Sequence, residues 1–592
     1  MIVCVAEKPS VAKDLALIVG ANQRKDGYFE GNNYQVTWTY GHLCTLKEPK
    51  DYLPEWKFWD LRMLPMIPSK FGIKLMEDEG IKKQFHVIKR LVENCEYVVN
   101  CGDAGQEGEV IQRWVLHLAK CKVPIKRLWI SSLTEEAIKE GFQNLKDSAD
   151  YLKLYAAGNA RAIGDWLLGI NATRLFTKKY GQPKQVLSIG RVQTPTLAMI
   201  VNRHLEIINF QSQDYWELRT VYRETEFNSV LGKISKEEKA NYALEKISNE
   251  PFTILSFEQK EGSEKPPKLF DLTSLQVETN KKFAYSAEQT LKLIQSLYEK
   301  KLVTYPRVDT TYLPDDLYPK VSGILSKLTS YNTLTVPILA KKITKSKQVF
   351  DNKKVTDHHA IIPTGVNATG ISPDEQKVYD LITKRFISVF YPDCKVSHTT
   401  VIGEVLKLEF KATGKQILSP GWRIVFNEED QSKQSDEKLI PVFVKGESGP
   451  HEPRVELKKT SPPKYFTEAT LLRAMETAGK QVADEELREL LKDNGIGRPS
   501  TRANIIETLF RRNYIERKKK NIIPTNTGIE LIELIENDTL KSPELTGDWE
   551  KKLRMIERGN FEPEQFRKEL IELVVNLTNE VLFERKENIQ EI

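Results

Sequence analysis

Two short stretches decide how the N-terminal part of the chain folds. They are Ile2-Val3-Cys4-Val5-Ala6-Glu7-Lys8-Pro9-Ser10 and Tyr97-Val98-Val99-Asn100-Cys101-Gly102-Asp103-Ala104-Gly105-Gln106-Glu107-Gly108-Glu109. Each begins as an apolar run of the kind that forms a parallel strand buried on both faces. Each then turns polar, and a helical pattern through Ala12, Leu15 and Ile18 follows the first. Residues 1–150 keep alternating strand-like and helix-like patterns, as an α/β layer does. Open α/β sheets bind ligands at the carboxyl ends of their strands, which is where Glu7 and Asp103 fall. If the two strands are neighbours, Glu7, Asp103 and Glu107 can converge on one cation. Magnesium suits such a site, being hard, oxygen-seeking and content to keep several waters. The block also permits a purely structural reading, in which Asp103 and Gln106 form a capping box and Glu107 favours a helix N-terminus.

The whole chain bounds what surrounds this layer. Its 592 residues suggest about four domains of roughly 150 residues each. Charged residues make up 29% and apolar ones 40%, an ordinary globular balance. The net charge is only +6, so nucleic-acid binding would have to come from local basic surfaces. No apolar run approaches the ~18 residues of a membrane span. The start, MIVCVAEK, lacks the basic region and cleavage site of an export signal. Cys4, Cys44, Cys95, Cys101, Cys121 and Cys394 are scattered without a CxxC pair, which predicts a reduced cytoplasmic protein without structural zinc. The absence of a GxxxxGK[ST] loop predicts no ATP site.

Further along, Leu297-Tyr298 to Asp316, LYEKKLVTYPRVDTTYLPDD, carries the most suggestive chemistry. Ser286 and Gln289 open a helix whose Leu291, Ile294, Leu297 and Tyr298 keep helical spacing, and Lys300 and Lys301 suit its end. A short extended run, Leu302-Val303-Thr304, then delivers Tyr305. Pro306 biases Tyr305 toward extended backbone, which places Arg307 on the same face. A phenol titrates near ~10 and attacks poorly unaided. An adjacent guanidinium can favour the phenolate and grip a phosphate by paired hydrogen bonds. Read alone, the pattern also describes a buried tyrosine before a proline turn.

TYPRVDTTYL closely resembles the T-Y-P-R-T-D-S-x-Y-L signature of type IA DNA topoisomerases, with Val308 and Thr310 in place of Thr and Ser. GDAGQEGE resembles the Toprim metal motif A-T-D-x-D-R-E-G-E, and AEKPS resembles its partner strand. Gly105 stands where that motif has its second Asp, and Gln106 where it has Arg, which argues for one Mg²⁺ rather than two. SIGRVQTPTL (188–197) and the run from Ala160 to Trp166 resemble segments that line the family's single-strand groove, and Trp166 is either a base-stacking platform or a core residue. DHHAIIPT (357–364) resembles a stretch of bacterial topoisomerase III whose first histidine lies by the catalytic tyrosine; adjacent histidines on a strand cannot share one metal. YFTEATL (465–471) and GIGRPST (495–501) complete the series, with an insertion at 479–494 like that of topoisomerase III. Members often continue into Cys4 zinc ribbons, which this chain lacks. A basic run around Tyr514, from Arg511 to Lys520, is a solvated face or a backbone-binding surface.

The resemblance implies a multidomain protein forming a toroid with a central hole. Its parts are a Toprim α/β domain (1–150), a helical DNA-binding base (151–215 and 461–592), a β-rich arch (216–264 and 396–460) and a domain carrying the tyrosine (265–395). It implies catalysis by Tyr305, Glu7, Arg307 and Lys8. Glu7, Asp103 and Glu107 would hold metal. Arg161, Asp165, Ser188, Arg191, Gln193, His358, Arg498 and Thr501 would bind DNA. The expected activity is ATP-independent cleavage of single-stranded DNA through a 5′-phosphotyrosine, passage of a strand and resealing, giving relaxation of negative supercoils and decatenation. A monomer at the nucleoid is expected, with a RecQ-like helicase and a single-strand binding protein as associates. Two rivals stay open at this level. A Toprim primase or nuclease would leave Tyr305 idle, and a non-enzymatic single-strand binding protein would need only the basic groove.

Overall fold

The computed structural model describes residues 1–130, 133–355, 358–426, 437–478 and 495–583. The insertion at 479–494 and residues 428–436 of the polar stretch EEDQSKQSDEK (428–438) therefore lie outside the described residues, as do Thr356 and Asp357.

The N-terminal layer is a seven-stranded sheet whose middle is parallel. Its central order is Tyr34–Trp38, Ile2–Ala6, Tyr97–Cys101, Ile125–Arg127. Ile2–Ala6 is flanked on both sides in parallel register, Ala6 opposite Trp38 on one side and Cys101 on the other. Val3, Cys4, Val5, Val98 and Val99 are wholly buried, as the unbroken apolar runs require. The register brings the carboxyl ends of both strands to one edge, so Glu7 and Asp103 emerge side by side. The Pro9–Val19 helix follows the first strand, with proline in its opening turn, and the Gln106–Leu118 helix follows the second.

The 29-residue helix Leu152–Tyr180 leads into a helical base with Gln193–Ile208 and the C-terminal helices Glu544–Arg558 and Pro563–Phe583. These share the largest apolar cluster, around Leu167, Leu175, Trp549 and Phe566. A second seven-stranded sheet is mainly antiparallel and draws its strands from two separate parts of the chain. Asp214–Tyr222 pairs with Glu452–Lys459, and Phe252–Glu264 pairs with Cys394–Val405. The segment between Glu264 and Cys394 thus leaves the sheet and returns to it. Inside that segment Ala287–Glu299 is a helix capped by Ser286, whose hydroxyl accepts the Gln289 N–H at 3.0 Å. Among the described residues no helix is long and apolar enough to cross a membrane.

The Tyr305 segment closes on the N-terminal layer through ion pairs and apolar contacts together. Lys8 meets Glu299 at 3.4 Å, Asp14 meets Lys301 at 2.8 Å and Glu140 meets Lys320 at 3.1 Å. Leu15 of the first helix and Leu297 beside the tyrosine loop belong to one apolar cluster.

Candidate active site

Glu7 is buried at the end of its strand, and its carboxylate accepts the Asp103 N–H at 3.1 Å. Loss of water, then the charge of Asp103, pushes the Glu7 carboxyl up to about 7. Burial likewise raises Asp103 above the usual carboxylate range. The capping-box alternative is not realised, because the helix begins at Gln106 with Gly105 as its N-cap and no side-chain cap bond. Asp103 is therefore left to the cleft. Glu107 lines the same cleft as Asp103, its two oxygens 3.5 Å from His42 and 3.7 Å from Arg307. His42, with Arg307 adding, holds it below its ordinary value. Among the described residues no group of three His, Cys, Asp or Glu is gathered as a metal cluster. Two crowded, desolvated carboxylates nonetheless fit Mg²⁺, which binds through one or two carboxylates and fills its remaining positions with water and substrate phosphate.

Glu109, the last acid of the same block, has a different occupation. It is 0% exposed and pairs with Arg113 at 2.6 Å and with the equally buried Arg127 at 3.0 Å. Arg127 donates to the carbonyls of Asn100, Gly102, Leu128 and Asp103, so it fixes the turn that carries Asp103. Nothing in the spacing of the sequence marks Arg127 for this position.

Tyr305 lies against this edge, 8% exposed. It is one of five rings in a column. Tyr151 stacks on Trp129 at 4.8 Å, and Trp129 on His358 at 6.4 Å. His358 lies 4.3 Å from Tyr305, which meets Tyr298 edge-on at 5.5 Å. His358 Nε2 also bonds the Ala104 carbonyl in the acidic block, and burial holds this imidazole neutral, its pKa lowered to about 3. Burial raises the Tyr305 phenol well above its ordinary value; Asp103 adds to the shift and Arg307 opposes it. Asp103, Tyr305, Arg307, His358 and Arg498 line a common cleft of about 640 Å³. Glu7 is tied to this cleft through its bond to the Asp103 N–H, and the Lys8 amine is engaged with Glu299 at 3.4 Å.

Of the other expected DNA contacts, Arg161 and Arg191 converge on a carboxylate that sequence reasoning missed. Arg161 grips both oxygens of Glu550 and donates to Gln106 Oε1 at 3.1 Å. Arg191, buried, reaches Glu550 at 3.1 Å and Asp165 at 3.1 Å. Glu550 lines the cleft together with Arg554 and Arg558 from its own helix. Arg498 caps the Pro499–Arg511 helix, and exposed Thr501 donates to its carbonyl at 3.1 Å. The Ser188 N–H donates to the Tyr514 hydroxyl at 2.7 Å, and Gln193 begins the next helix.

Two aromatic side chains left open by the sequence find their places. Tyr514 is 1% exposed and bonded to the Val186 carbonyl, so it cannot stack on a base within the basic run. Trp166 donates to the Lys47 carbonyl at 3.0 Å and packs edge-on against Tyr52 and Phe71, so of its two readings the packed, partly buried one holds. Tyr514 is fully buried, whereas Trp166 is partly buried and packs against the edge of the core.

Comparison with known proteins agrees with this arrangement. The DNA topoisomerase family model matches residues 149–568, and the Toprim domain model matches residues 2–133. DNA topoisomerase 3 of Bacillus anthracis is 39% identical over 99% of this chain and 82% of its own length. DNA topoisomerase 3 of Bacillus subtilis (strain 168) is 38% identical over 96% of this chain and 80% of its own. Full-length topoisomerase I from Thermotoga maritima superposes with a TM-score of 0.75 at 24% identity, covering 99% of this chain and 91% of that one. The fold is therefore the expected toroid, with the Toprim layer at its N-terminus. With both family models matched in order over almost its full length, the chain belongs to the type IA DNA topoisomerases, among relatives of the topoisomerase III kind.

Proposed function

We propose that Tyr305 is the residue that cleaves and reseals single-stranded DNA in this type IA topoisomerase. The observation that carries the assignment is the packing of Tyr305 against His358, which is itself bonded to Ala104 of the acidic block. The phenol and Asp103 thereby face one cleft, with Glu7 bonded to the Asp103 N–H behind it.

The Tyr305 oxygen attacks a backbone phosphorus, a P–O bond forms as the bond to the 3′ oxygen breaks, and a 5′-phosphotyrosine results. The raised pKa of the phenol means that its proton leaves during attack rather than before it. That proton enters the Glu7–Asp103 pair while Glu7, protonated near neutrality, gives one to the departing 3′ oxygen. The pair ends with the protons it began with, so resealing is the same path reversed. Arg307 and Lys8 offset the charge developing on the phosphate. No ATP is needed because the phosphotyrosine ester keeps the energy of the broken linkage. With both carboxyls deprotonated, Glu7 and Asp103 would hold one Mg²⁺, which when bound supplies positive charge to position the broken end; Glu107, on the same cleft, could join them.

Arg498, Thr501 and His358 would contact the strand directly. Arg161, Asp165 and Arg191 would act through Glu550, and Ser188 and Gln193 by shaping the groove floor. The enzyme would act as a monomer at the nucleoid on single-stranded regions, such as those a RecQ-like helicase opens and a single-strand binding protein covers. The family match over 149–568 includes Tyr305 and disfavours a primase or a passive binding protein. The test is a denaturant-quenched gel with end-labelled oligonucleotide. Wild type should join to 5′ ends and Tyr305→Phe should not, while still binding single strands. An adduct in Tyr305→Phe would refute the assignment.

A further inference from the structure

Behind the tyrosine loop lies a second cleft, of about 880 Å³, at the root of the antiparallel sheet. Its walls come from the end of the Phe252–Glu264 strand, the 337–349 stretch, the 389–393 turn and the segment Gly421–Val425. Lys265, Lys268, Lys341 and Lys342 line it, against Asp393 as its one acidic residue. Lys265, Lys341 and Lys342 are exposed, and among the described residues none of the three forms an ion pair.

Tyr312, the last residue but one of TYPRVDTTYL, is a wall of both this cleft and the active cleft. Lys268 from the second cleft lies 5.2 Å from the Tyr312 ring centre, and Lys354 from the active cleft lies 4.6 Å from it. Lys354 also donates to the Tyr312 hydroxyl at 3.1 Å. Ammonium groups therefore run from one cleft to the other past the Tyr312 ring. A run of lysines held in place along a groove is the element that follows phosphates in sequence-tolerant single-strand binding.

We propose that the strand held by Tyr305 continues past Tyr312 into this lysine-lined cleft, which binds the phosphates on the 3′ side of the break. The direction rests on the assignment of Tyr305 as nucleophile. Once the 5′ phosphate is on Tyr305, the DNA leaving that residue runs toward its own 3′ end. Tyr305 and Tyr312 share one short segment, so this part of the strand travels with the tyrosine when the gate parts. The end bearing the free 3′ hydroxyl stays with the carboxylates. The second cleft thus adds a non-covalent hold on the moving side.

The experiment uses the full chain carrying Tyr305→Phe, so that binding is read without cleavage. Oligodeoxynucleotides centred on a mapped cleavage position are extended on either their 3′ or their 5′ side by up to about ten nucleotides. Affinity is measured by fluorescence anisotropy at several salt concentrations. Extension on the 3′ side should tighten binding, and Lys341→Gln with Lys342→Gln should remove that gain. The salt slope should fall by about 1.4, at about 0.7 for each phosphate no longer neutralised. Both lysines are exposed, so a melting curve matching the parent's shows that the variant folds. The proposal is overturned if the gain survives in the double variant, or if the lysine-dependent gain follows 5′ extension. Failure of the nucleophile assignment is read separately, as a covalent adduct in Tyr305→Phe.

Discussion

Asp103 and Glu109 belong to one acidic block, yet their surroundings give them opposite duties, and Glu109→Gln and Asp103→Asn should separate these. Glu109 is enclosed between Arg113 and Arg127, both Glu109 and Arg127 being 0% exposed. Removing one member of a buried ion pair costs about 3–5 kcal/mol, because the partner's charge is left uncompensated. The lower end applies here, since Arg127 keeps its carbonyl acceptors at Asn100, Gly102, Leu128 and Asp103. For a layer of roughly 150 residues, about 3 kcal/mol lowers its melting transition by roughly 10 °C. Asp103→Asn instead removes one of two crowded acids, so melting should stay level or rise. The magnesium requirement for plasmid relaxation should rise at least about tenfold. Calorimetry and relaxation over a magnesium series supply the two readouts. If Glu109→Gln melts like wild type and needs more magnesium, Glu109 is a ligand and the division of duties is wrong.

Three other outcomes follow from the geometry. Burial alone would raise the Glu550 carboxyl, but Arg161 and then Arg191 carry it well below its ordinary 4.5. A lowered folded value contributes stability above the unfolded one and loses it as pH falls, so below about 4.5 wild type should weaken more steeply with acid than Glu550→Gln; equal slopes in acid melting curves would contradict this. Gly495 has φ +58, and a Cβ there would stand 2.0 Å from the Met475 carbonyl oxygen. Gly495→Ala should therefore displace the Arg498 loop, lowering both the melting temperature and single-strand affinity in anisotropy titrations. Gly105 has open space for a side chain but φ +158, a backbone conformation nearly confined to glycine. Gly105→Asp and Gly105→Ala should then lower activity alike without changing the magnesium requirement, and a reduced requirement in Gly105→Asp alone would mean that a third carboxylate had been limiting.

Much of the site could be read from the chain because its parts lie at strand ends and proline turns, where local rules are strong. The runs Ile2–Ala6 and Tyr97–Cys101 announce buried parallel strands, and their shared register carries Glu7 to Asp103. Ser286 announces the helix that leads to Tyr305. What stayed hidden depends on contacts distant in sequence. Glu550 meets Arg161 and Arg191 across more than three hundred residues, and no spacing rule connects them. Arg127 looks like any charge at a strand end until the carbonyls around it are seen. Tyr514 illustrates the opposite error, since a ring among lysines reads as exposed although the fold buries it.

The ring column has a consequence for how the toroid comes apart. Its widest spacing, 6.4 Å, falls between Trp129 of the N-terminal layer and His358 of the tyrosine-bearing segment, whereas His358 and Tyr305 stay 4.3 Å apart. Parting this seam would keep the imidazole with the nucleophile and would break the His358 bond to the Ala104 carbonyl. Trp129, already partly exposed, would lose its stacking on His358 at that moment. Its emission should redden and dim with each opening, a built-in optical signal from the hinge cycle that needs no attached dye.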